Sequence, residues 1–347
     1  MNAPDPATMN THLKMLSAAM ITILLSACGG GGGSSADSGT TPPISQNCAN
    51  GGTDFPTCTP PFQNSVPTPT YPTGSELLAA FNEVNSFRKN SGYPLLAQNA
   101  LLDKAAQNHA DCIVQTGNFA HTEATGTTCF TGVNPSDRAA FTGYSGASNV
   151  GELVAGTGGV IGVRSFMNSI YHREGLLIQR SAEIGLGFNQ NGLKPLVIEV
   201  GYTNQKYQVL PSDFVAVYPA NNQTGLPLVM AAESPVPFSD IDLMSSDYLT
   251  KTSSPISIHV QAGKVLTVSN VSVTDDVGAI PMRVVTASND INKMLATHSA
   301  YFVGYSPFKS NTKYTVVFSG AVNGVPLNKT WSFTTGNSVN IGDGVKP

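Results

Sequence analysis

The chain has 347 residues, a length that favours two domains over one. Only 12% of the residues are charged, about half the usual share, while 34 Gly and 23 Pro indicate long loops. The net charge is -4 and no run of Lys or Arg stands out. We therefore predict no nucleic-acid partner, because binding to a phosphate backbone needs a clustered basic surface.

The N-terminus has the features of an export signal. Behind Lys14 lies an apolar stretch of about the length of a signal-peptide core, too short to span a bilayer. It ends in Leu25-Ser26-Ala27-Cys28, which resembles a bacterial lipobox, the motif at which a cysteine is lipidated and the preceding peptide removed. The alternative is an ordinary secretory signal with a chance cysteine. The glycine run that follows favours the lipoprotein, since a lipidated end needs a flexible leash.

We therefore assign residues 1–27 to a lipoprotein signal peptide and Cys28 to lipid attachment. Each buried acyl CH₂ contributes about 0.8 kcal/mol, so two or more acyl chains hold a protein firmly on a membrane. The prediction is an exported protein that its N-terminal lipid anchors to the bacterial cell envelope, at the outer membrane or the cell surface. Residues 28–74 are rich in Ser, Thr, Pro, Gly and Asn, and we predict a flexible linker there.

Removal of Cys28 from the count leaves four cysteines, an even number that predicts disulfides in an exported protein. Proximity along the chain favours Cys48–Cys58 and Cys112–Cys129, although four cysteines allow three pairings and the sequence leaves the choice open. A Cys112–Cys129 bridge would close a loop around His121 and contribute roughly 3 kcal/mol in the entropic model.

Two helices are predicted after the linker. Ser75 is a plausible N-cap for the first, which should end near Asn90. Asn99 can cap the second, whose apolar stripe runs to Ile113. His109 lies on or beside that stripe, and we interpret it as a core or hydrogen-bonded histidine rather than a ligand.

The following segment is predicted to be a long irregular connection over residues 125–148, because it is rich in Gly, Thr, Ser and Asn. Glu152 then stands in an apolar run, where a buried carboxylate would need a partner. A helix is predicted from about Gly159 to Tyr171, with His172 at its C-terminal end, where the helix dipole favours the imidazolium. Residues 182–188 and 195–202 are predicted to form a hairpin, since an Asn-Gly pair lies in the connection between them.

Three separated residues carry the candidate chemistry, namely His121, Glu152 and His172. Two imidazoles and a carboxylate would bind a divalent cation such as Zn²⁺ and leave a fourth position open. A bound water would then become acidic enough to support hydrolysis. Without metal, Glu152 and a histidine would form an acid–base pair. The sequence marks no nucleophile. The alternative to catalysis is a polar cavity that binds a molecule without converting it.

After residue 207 the helical periodicity gives way to short alternating runs, at 214–218, 256–260, 265–269, 282–285, 314–318 and 331–335. Many short strands with turn signals between them predict an antiparallel β-sandwich. The pieces G-L-P, N-T-K-Y-T-V and W-S-F-T-T resemble bacterial Ig-like domains. We assign residues 213–336 to an Ig-like domain with Trp331 in its core, and residues 337–347 to a loose tail.

Residues 75–204 resemble the CAP superfamily, also called SCP-like, which comprises cysteine-rich secretory, antigen 5 and pathogenesis-related 1 proteins. The matching pieces are V-N-S-F-R-K-N-S-G-Y-P-L-L, A-A-Q-N-H-A-D-C-I, F-A-H-T-E, V-G-E, S-F-M-N-S-I-Y-H-R-E-G-L-L and A-E-I-G-L-G-F, in that order. The resemblance implies an α-β-α sandwich with a cavity of two histidines and two glutamates, which in some members takes a divalent cation. The predicted fold class is thus α+β, a CAP-type sandwich followed by an all-β Ig-like sandwich.

By the same resemblance, His121 matches the first cavity histidine and Glu152 the first glutamate, while His172 matches the histidine of the bacterial H-R-x-x-L-L pattern. The second glutamate has no clear counterpart, because the nearest helix position holds Asn168 and Ser169. Phe166 stands where the family usually has Trp, and Leu153 where it usually has Asn. These departures leave a His-Glu-His set, and the cation site depends on it.

Three functions follow from this sequence. The favoured one is an envelope protein whose His/Glu cavity binds a lipid, a cell-wall component or a protein ligand. The alternative is a metal- or His/Glu-dependent hydrolase, protease-like, acting in the envelope. The third is a CAP domain that serves as a scaffold, with its cavity filled by side chains.

Overall fold

The computed structural model describes residues 62–145 and 149–339. The predicted signal peptide, Cys28, Cys48, Cys58, most of the linker and most of the tail lie outside the described residues, so the predictions about them stay predictions. In the part of the chain that is described, no helix is long and apolar enough to cross a membrane.

In the described part of the N-terminal half, residues 62–145 and 149–202, five helices combine with a four-stranded sheet. The helices are α1 (Glu76–Asn90), α2 (Ala100–Thr116), α3 (Pro135–Phe141), α4 (Gly159–Met167) and α5 (Tyr171–Leu176), and the strands are β1 (Ala97–Gln98), β2 (Asn149–Ala155), β3 (Glu183–Phe188) and β4 (Leu196–Tyr202). The sheet order is β1-β3-β4-β2, so β2 lies at an edge. The predicted hairpin is confirmed, because β3 and β4 pair antiparallel.

Helices cover both faces of this sheet. Helix α2 packs across β3 and β4 on one face, where Gly185 and Gly187 let the two backbones approach closely; a Cβ at either glycine would collide with the backbone of α2. On the other face, α1 and α4 enclose the main hydrophobic core with apolar residues of β3 and β4. The result is the predicted α-β-α arrangement.

Local capping fixes the start of the first two helices as predicted. The Ser75 hydroxyl accepts the Leu78 N–H at 3.1 Å, and Asn99 accepts the Leu101 N–H at 2.9 Å. His109 is buried on α2, in agreement with its interpretation as a core histidine. Residues 62–74 fall inside the predicted linker, yet Tyr71 packs on the core and hydrogen-bonds Asp103.

Two predictions about helices are wrong. The connection 125–148 is not wholly irregular, because α3 forms within it behind a capping box of Asn134 and Asp137. The helix predicted from Gly159 to Tyr171 ends at Met167, and His172 lies in the first turn of α5 rather than at a C-terminal end. The chain restarts there because a distant carboxylate, Glu233, accepts the N–H groups of Ile170 and Tyr171.

The C-terminal half is built from strands, with one short helix α6 (Asp247–Thr250). The strands are β5 (Val215–Tyr218), β6 (Gln223–Leu226), β7 (Ile256–Val260), β8 (Leu266–Thr274), β9 (Ala279–Ile280), β10 (Met282–Thr286), β11 (Ser299–Gly304), β12 (Lys313–Val322) and β13 (Val325–Thr335). They form two sheets, in the orders β10-β11-β7-β5 and β6-β13-β12-β8-β9. The mixed first half and the two β-sheets of the second half confirm the predicted fold class, and Trp331 is a core residue as predicted.

The two halves share buried contacts. Arg173 is fully buried, and its guanidinium donates to Met167 O in its own half and to Ser257 Oγ and Pro255 O in the other. The same group stacks 4.3 Å from the centre of the Tyr218 ring. The second half is therefore packed against α5, the helix that carries His172.

Candidate functional site

His121 and Glu152 meet directly. His121 Nδ1 lies 2.8 Å from Glu152 Oε1, and both side chains are almost completely buried. Glu152 is held on the edge strand β2, and His121 lies in the loop after α2. The other ring nitrogen, His121 Nε2, is buried without a hydrogen-bond partner among the described residues.

Arg138 on α3 contacts both members of this pair. Its Nη2 donates to Glu152 Oε2 at 2.5 Å, and its Nη1 donates to the backbone carbonyl of His121 at 3.0 Å. Both oxygens of Glu152 are thus occupied. Burial alone would raise the pKa of Glu152, but the positive charges of His109 and Arg138 and the hydrogen bond from His121 outweigh burial and hold that pKa well below its usual range.

His109 and Glu123 extend the network inside α2 and its following loop. His109 Nδ1 lies 2.9 Å from Glu123 Oε1, and His109 Nε2 donates to the carbonyl of Ala120 at 2.9 Å. Glu123 Oε2 also accepts the N–H of Thr131 at 2.7 Å. Burial opposes ionisation of Glu123, but these donors hold its pKa below the usual range.

Glu199 is the third carboxyl group of this cluster. It lies opposite Glu152 in the β2–β4 register and is fully buried, and among the described residues neither of its oxygens has a hydrogen-bond partner. Burial, reinforced by the neighbouring charge of Glu152, raises the pKa of Glu199 well above its usual value. The pKa values of these two facing carboxyl groups are therefore shifted in opposite directions, that of Glu152 downward and that of Glu199 upward.

A disulfide holds the loop that presents this cluster. Cys112 on α2 is bonded to Cys129, and His121 and Glu123 lie between them in the sequence. This pairing is the one that proximity along the chain favoured. Because the loop contains Gly, Thr and Ala in quantity, the crosslink limits the positions that His121 can take.

His172 has a different set of partners. Its Nδ1 lies 3.2 Å from Glu233 Oε2 and 3.3 Å from Ser169 Oγ, and its ring stacks on Phe166 at 5.1 Å between centroids. Ser169 gives its own hydroxyl hydrogen to the carbonyl of Phe166 at 2.9 Å. His172 Nε2 is buried and, within the described residues, has no hydrogen-bond partner.

His172 lines a small cleft next to the edge strand β2, which we call the His172 cleft. Its apolar lining comes from Phe119, Val154, Ala155, Phe166 and Ala232, and its polar lining from Thr157, Ser165, Ser169 and His172. The cavity volume is about 30 Å³, room for one or two water molecules, and the cleft opens to solvent. It is therefore a small depression in which apolar and polar groups contribute to the lining in similar measure.

The three predicted residues thus divide into two groups. His121 and Glu152 are hydrogen-bonded to each other, whereas no hydrogen bond or ion pair among the described residues joins His172 to either of them. Both oxygens of Glu152 already have cationic or imidazole partners, so it does not fit the role of a direct metal ligand. Among residues 62–145 and 149–339, no group of three or more His, Cys, Asp or Glu side chains is arranged to hold a metal ion. The cation site stays a prediction.

Sequence reasoning missed Arg138, Glu199 and Glu233. Arg138 lies in a stretch whose composition predicts an irregular connection, although Asn134, Pro135 and Asp137 form a helix-start signal. Glu199 faces Glu152 only because β2 and β4 pair in one register. Glu233 lies in the second half of the chain, and no local signal links it to His172.

The comparisons with known proteins concern the first half of the chain. Residues 81–200 match the CAP family model, described as the cysteine-rich secretory protein family. This CAP-like domain covers about a third of the chain and carries His121, Glu152 and His172. No match was found among the curated proteins.

Several solved structures match part of the chain, including these two. One is an extracellular protein with an SCP domain from Bacillus anthracis, at 24% identity and a TM-score of 0.32, with 36% of this chain and 39% of that chain covered. The other is an outer surface protein from Borrelia burgdorferi, at 21% identity and a TM-score of 0.32, with 40% of this chain and 96% of that chain covered. The chain spans less than half the length of the Bacillus protein.

Proposed function

We propose that this chain is an exported protein of the bacterial cell envelope, held by a lipid on Cys28, whose CAP-like domain binds an envelope lipid in the His172 cleft. The observation that carries the proposal is His172 itself, which lines the cleft, has its Nδ1 occupied by Glu233 and, among the described residues, has no partner for its Nε2. A buried imidazole nitrogen without a partner is costly unless a ligand or water supplies a donor.

The lining favours an amphipathic ligand. Phe119, Phe166 and Val154 would contact an apolar segment, while His172 Nε2 would accept a hydrogen bond from a polar head. Export is supported by the Cys112–Cys129 disulfide, because such crosslinks persist in oxidising compartments. A cell-wall fragment and a protein segment are the competing ligands.

Binding is favoured over catalysis by the direction of the Ser169 hydroxyl. Ser169 Oγ approaches Nδ1 of His172 rather than Nε2, and its hydrogen is given to the Phe166 carbonyl. A serine nucleophile needs a base that removes this hydrogen, so Ser169 is not activated. The His121–Glu152 pair is equally unsuited, because Arg138 and the surrounding network enclose it.

One observation supports a hydrolase as the second candidate. A carboxylate behind Nδ1 and a free Nε2 is the arrangement by which a histidine accepts a proton from a water molecule. The hydrolase would use His172 with Glu233 rather than the His121, Glu152 and His172 set inferred from the sequence.

A titration distinguishes these functions. The Cys28→Ala protein, which lacks the anchor, is titrated by calorimetry with short-chain envelope phospholipid, soluble wall fragments and peptides. We expect phospholipid to bind and the substitution His172→Gln to weaken it about tenfold, the loss of about one hydrogen bond. His298→Gln, a histidine outside the cleft, is the matched control and should bind like the parent.

Failure of all three ligands to bind, or equal affinity of the His172→Gln protein, would contradict the proposal. Turnover of a wall fragment or peptide that His172→Gln abolishes would establish the hydrolase instead.

A further inference from the structure

The carboxylate that orients His172 comes from the second half of the chain. Glu233 follows β6 and is fully buried, and its Oε2 lies 3.2 Å from His172 Nδ1. The CAP-like domain match ends at residue 200, so this partner lies outside it.

Segment 229–233 is fixed against the residues that lead into α5. The Asn168 side chain donates to the carbonyl of Val229 at 2.7 Å, and the Ala231 N–H donates to the carbonyl of Asn168 at 2.8 Å. Tyr248 donates its hydroxyl hydrogen to the Glu233 carbonyl at 3.0 Å. These bonds bring Ala232 into the wall of the His172 cleft and place Glu233 beneath His172.

Glu233 also accepts backbone N–H groups of α5, at 2.8 Å from Ile170 and 2.9 Å from Tyr171. Capping of α5 alone would account for the burial of Glu233. The effect of Glu233 on the His172 ring therefore has to be measured separately from its effect on the helix. Because Glu233 Oε2 accepts, Nδ1 of a neutral His172 must carry the hydrogen, and Nε2 is then a bare acceptor. A neutral ring without this carboxylate is free to place the hydrogen on either nitrogen.

We infer that Glu233 is a positioning residue of the His172 cleft, and that the β-rich half of the chain completes a binding site that the CAP-like domain alone leaves without its carboxylate. This inference rests on the proposed function of the cleft and specifies what the second half adds to it. The second half is thereby more than a spacer or a display module.

The test begins with the unmodified chain and no ligand. Imidazole ¹⁵N resonances of His172 at neutral pH should show hydrogen on Nδ1 and a bare Nε2. Hydrogen on Nε2 would overturn the inference while leaving lipid binding by the cleft intact, because the measurement involves no ligand.

Two variants distinguish orientation of the His172 ring by Glu233 from a general weakening of the contact between the two halves. Glu233→Ala removes the acceptor, and the space that it leaves is polar enough for water to satisfy the N–H groups of Ile170 and Tyr171. We expect a mixture of tautomers at His172 and about tenfold weaker binding of short-chain phospholipid. Tyr171→Phe is the matched control, since it removes the Tyr171–Asp290 hydrogen bond between the halves without touching Glu233.

Tyr171→Phe should retain the parent tautomer and affinity. An unchanged tautomer in a folded Glu233→Ala protein, or equal changes in both variants, would overturn the inference. Should Glu233→Ala fail to fold, the tautomer of the unmodified chain decides alone.

Discussion

At the scale of single residues, the pKa values of two neighbouring carboxyl groups are shifted in opposite directions. Glu152 receives hydrogen bonds from Arg138 and His121 and has a lowered pKa, while Glu199, one strand away, is fully buried and has a raised pKa. The sequence predicted that a buried Glu152 needs a partner and that His121 belongs near it. It could not predict Glu199 or Arg138, because strand register and a short helix bring them there.

Glu199 gives a pH-dependent prediction. Its pKa is raised in the folded chain, so the folded state binds a proton that the unfolded state releases above a pKa of about 4.3. The free energy of unfolding therefore has its full contribution from Glu199 at pH values below the unfolded pKa. It loses that contribution as the pH rises towards the raised pKa of the folded state. Glu199→Gln keeps the group neutral and removes this loss.

Urea unfolding of both proteins at pH 5, 6, 7 and 8 measures the effect. Relative to Glu199→Gln, the unmodified chain should lose up to about 1.4 kcal/mol of stability for each pH unit within the window where only the folded state is protonated. A stability difference that stays constant over this range would show that Glu199 ionises as freely in the folded chain as in the unfolded one.

At the scale of elements, short-range signals were sufficient for some boundaries. Ser75 and Asn99 cap α1 and α2 with their own side chains, so the sequence predicts those helix starts. The break between α4 and α5 was not predictable, since the cap of α5 is Glu233, more than 60 residues away in the chain. Apolar residues continue from α4 through Ile170 and Tyr171, and periodicity therefore predicts a single helix from about Gly159 to Tyr171.

The contact between α2 and β3 gives a prediction at this scale. A methyl group at Gly185 would collide with the backbone of Leu102 and Asp103, which cannot move without displacing the helix. We expect Gly185→Ala to lower the free energy of unfolding by at least about 2 kcal/mol. The measurement is a denaturant unfolding curve.

Gly175→Ala in α5 is the matched control. A Cβ there would lie 3.4 Å from the Leu153 side chain, an ordinary contact, and alanine favours the helix. Its stability should stay within about 1 kcal/mol of the parent. Equal losses in both variants would contradict the close approach of α2 and β3.

At the scale of the whole molecule, the two halves form a continuous structure at α5. Arg173, Tyr171 and Glu233 each make buried contacts across the junction. The sequence correctly predicts two kinds of architecture, because helical periodicity changes to strand alternation near residue 207. It could not predict that the halves share a site, since no residue pattern connects position 172 with position 233.

The proposed envelope location depends on Cys28. Replacement of Cys28 by Ala removes the acceptor for lipid, so the protein should move from the membrane fraction to the soluble extracytoplasmic fraction. Cys48→Ala is the control and should stay with the membrane. Fractionation and immunoblotting measure the distribution, and a Cys28→Ala protein that remains with the membrane would contradict the lipid anchor.

The central claim is that a ligand occupies the His172 cleft. The most direct measurement is the ¹⁵N resonance of His172 Nε2 during titration with a soluble short-chain phospholipid. We predict a saturable shift of Nε2 towards the hydrogen-bonded position, with the affinity that calorimetry gives. A resonance that stays in place while the phospholipid binds elsewhere, or while no phospholipid binds, would contradict the account.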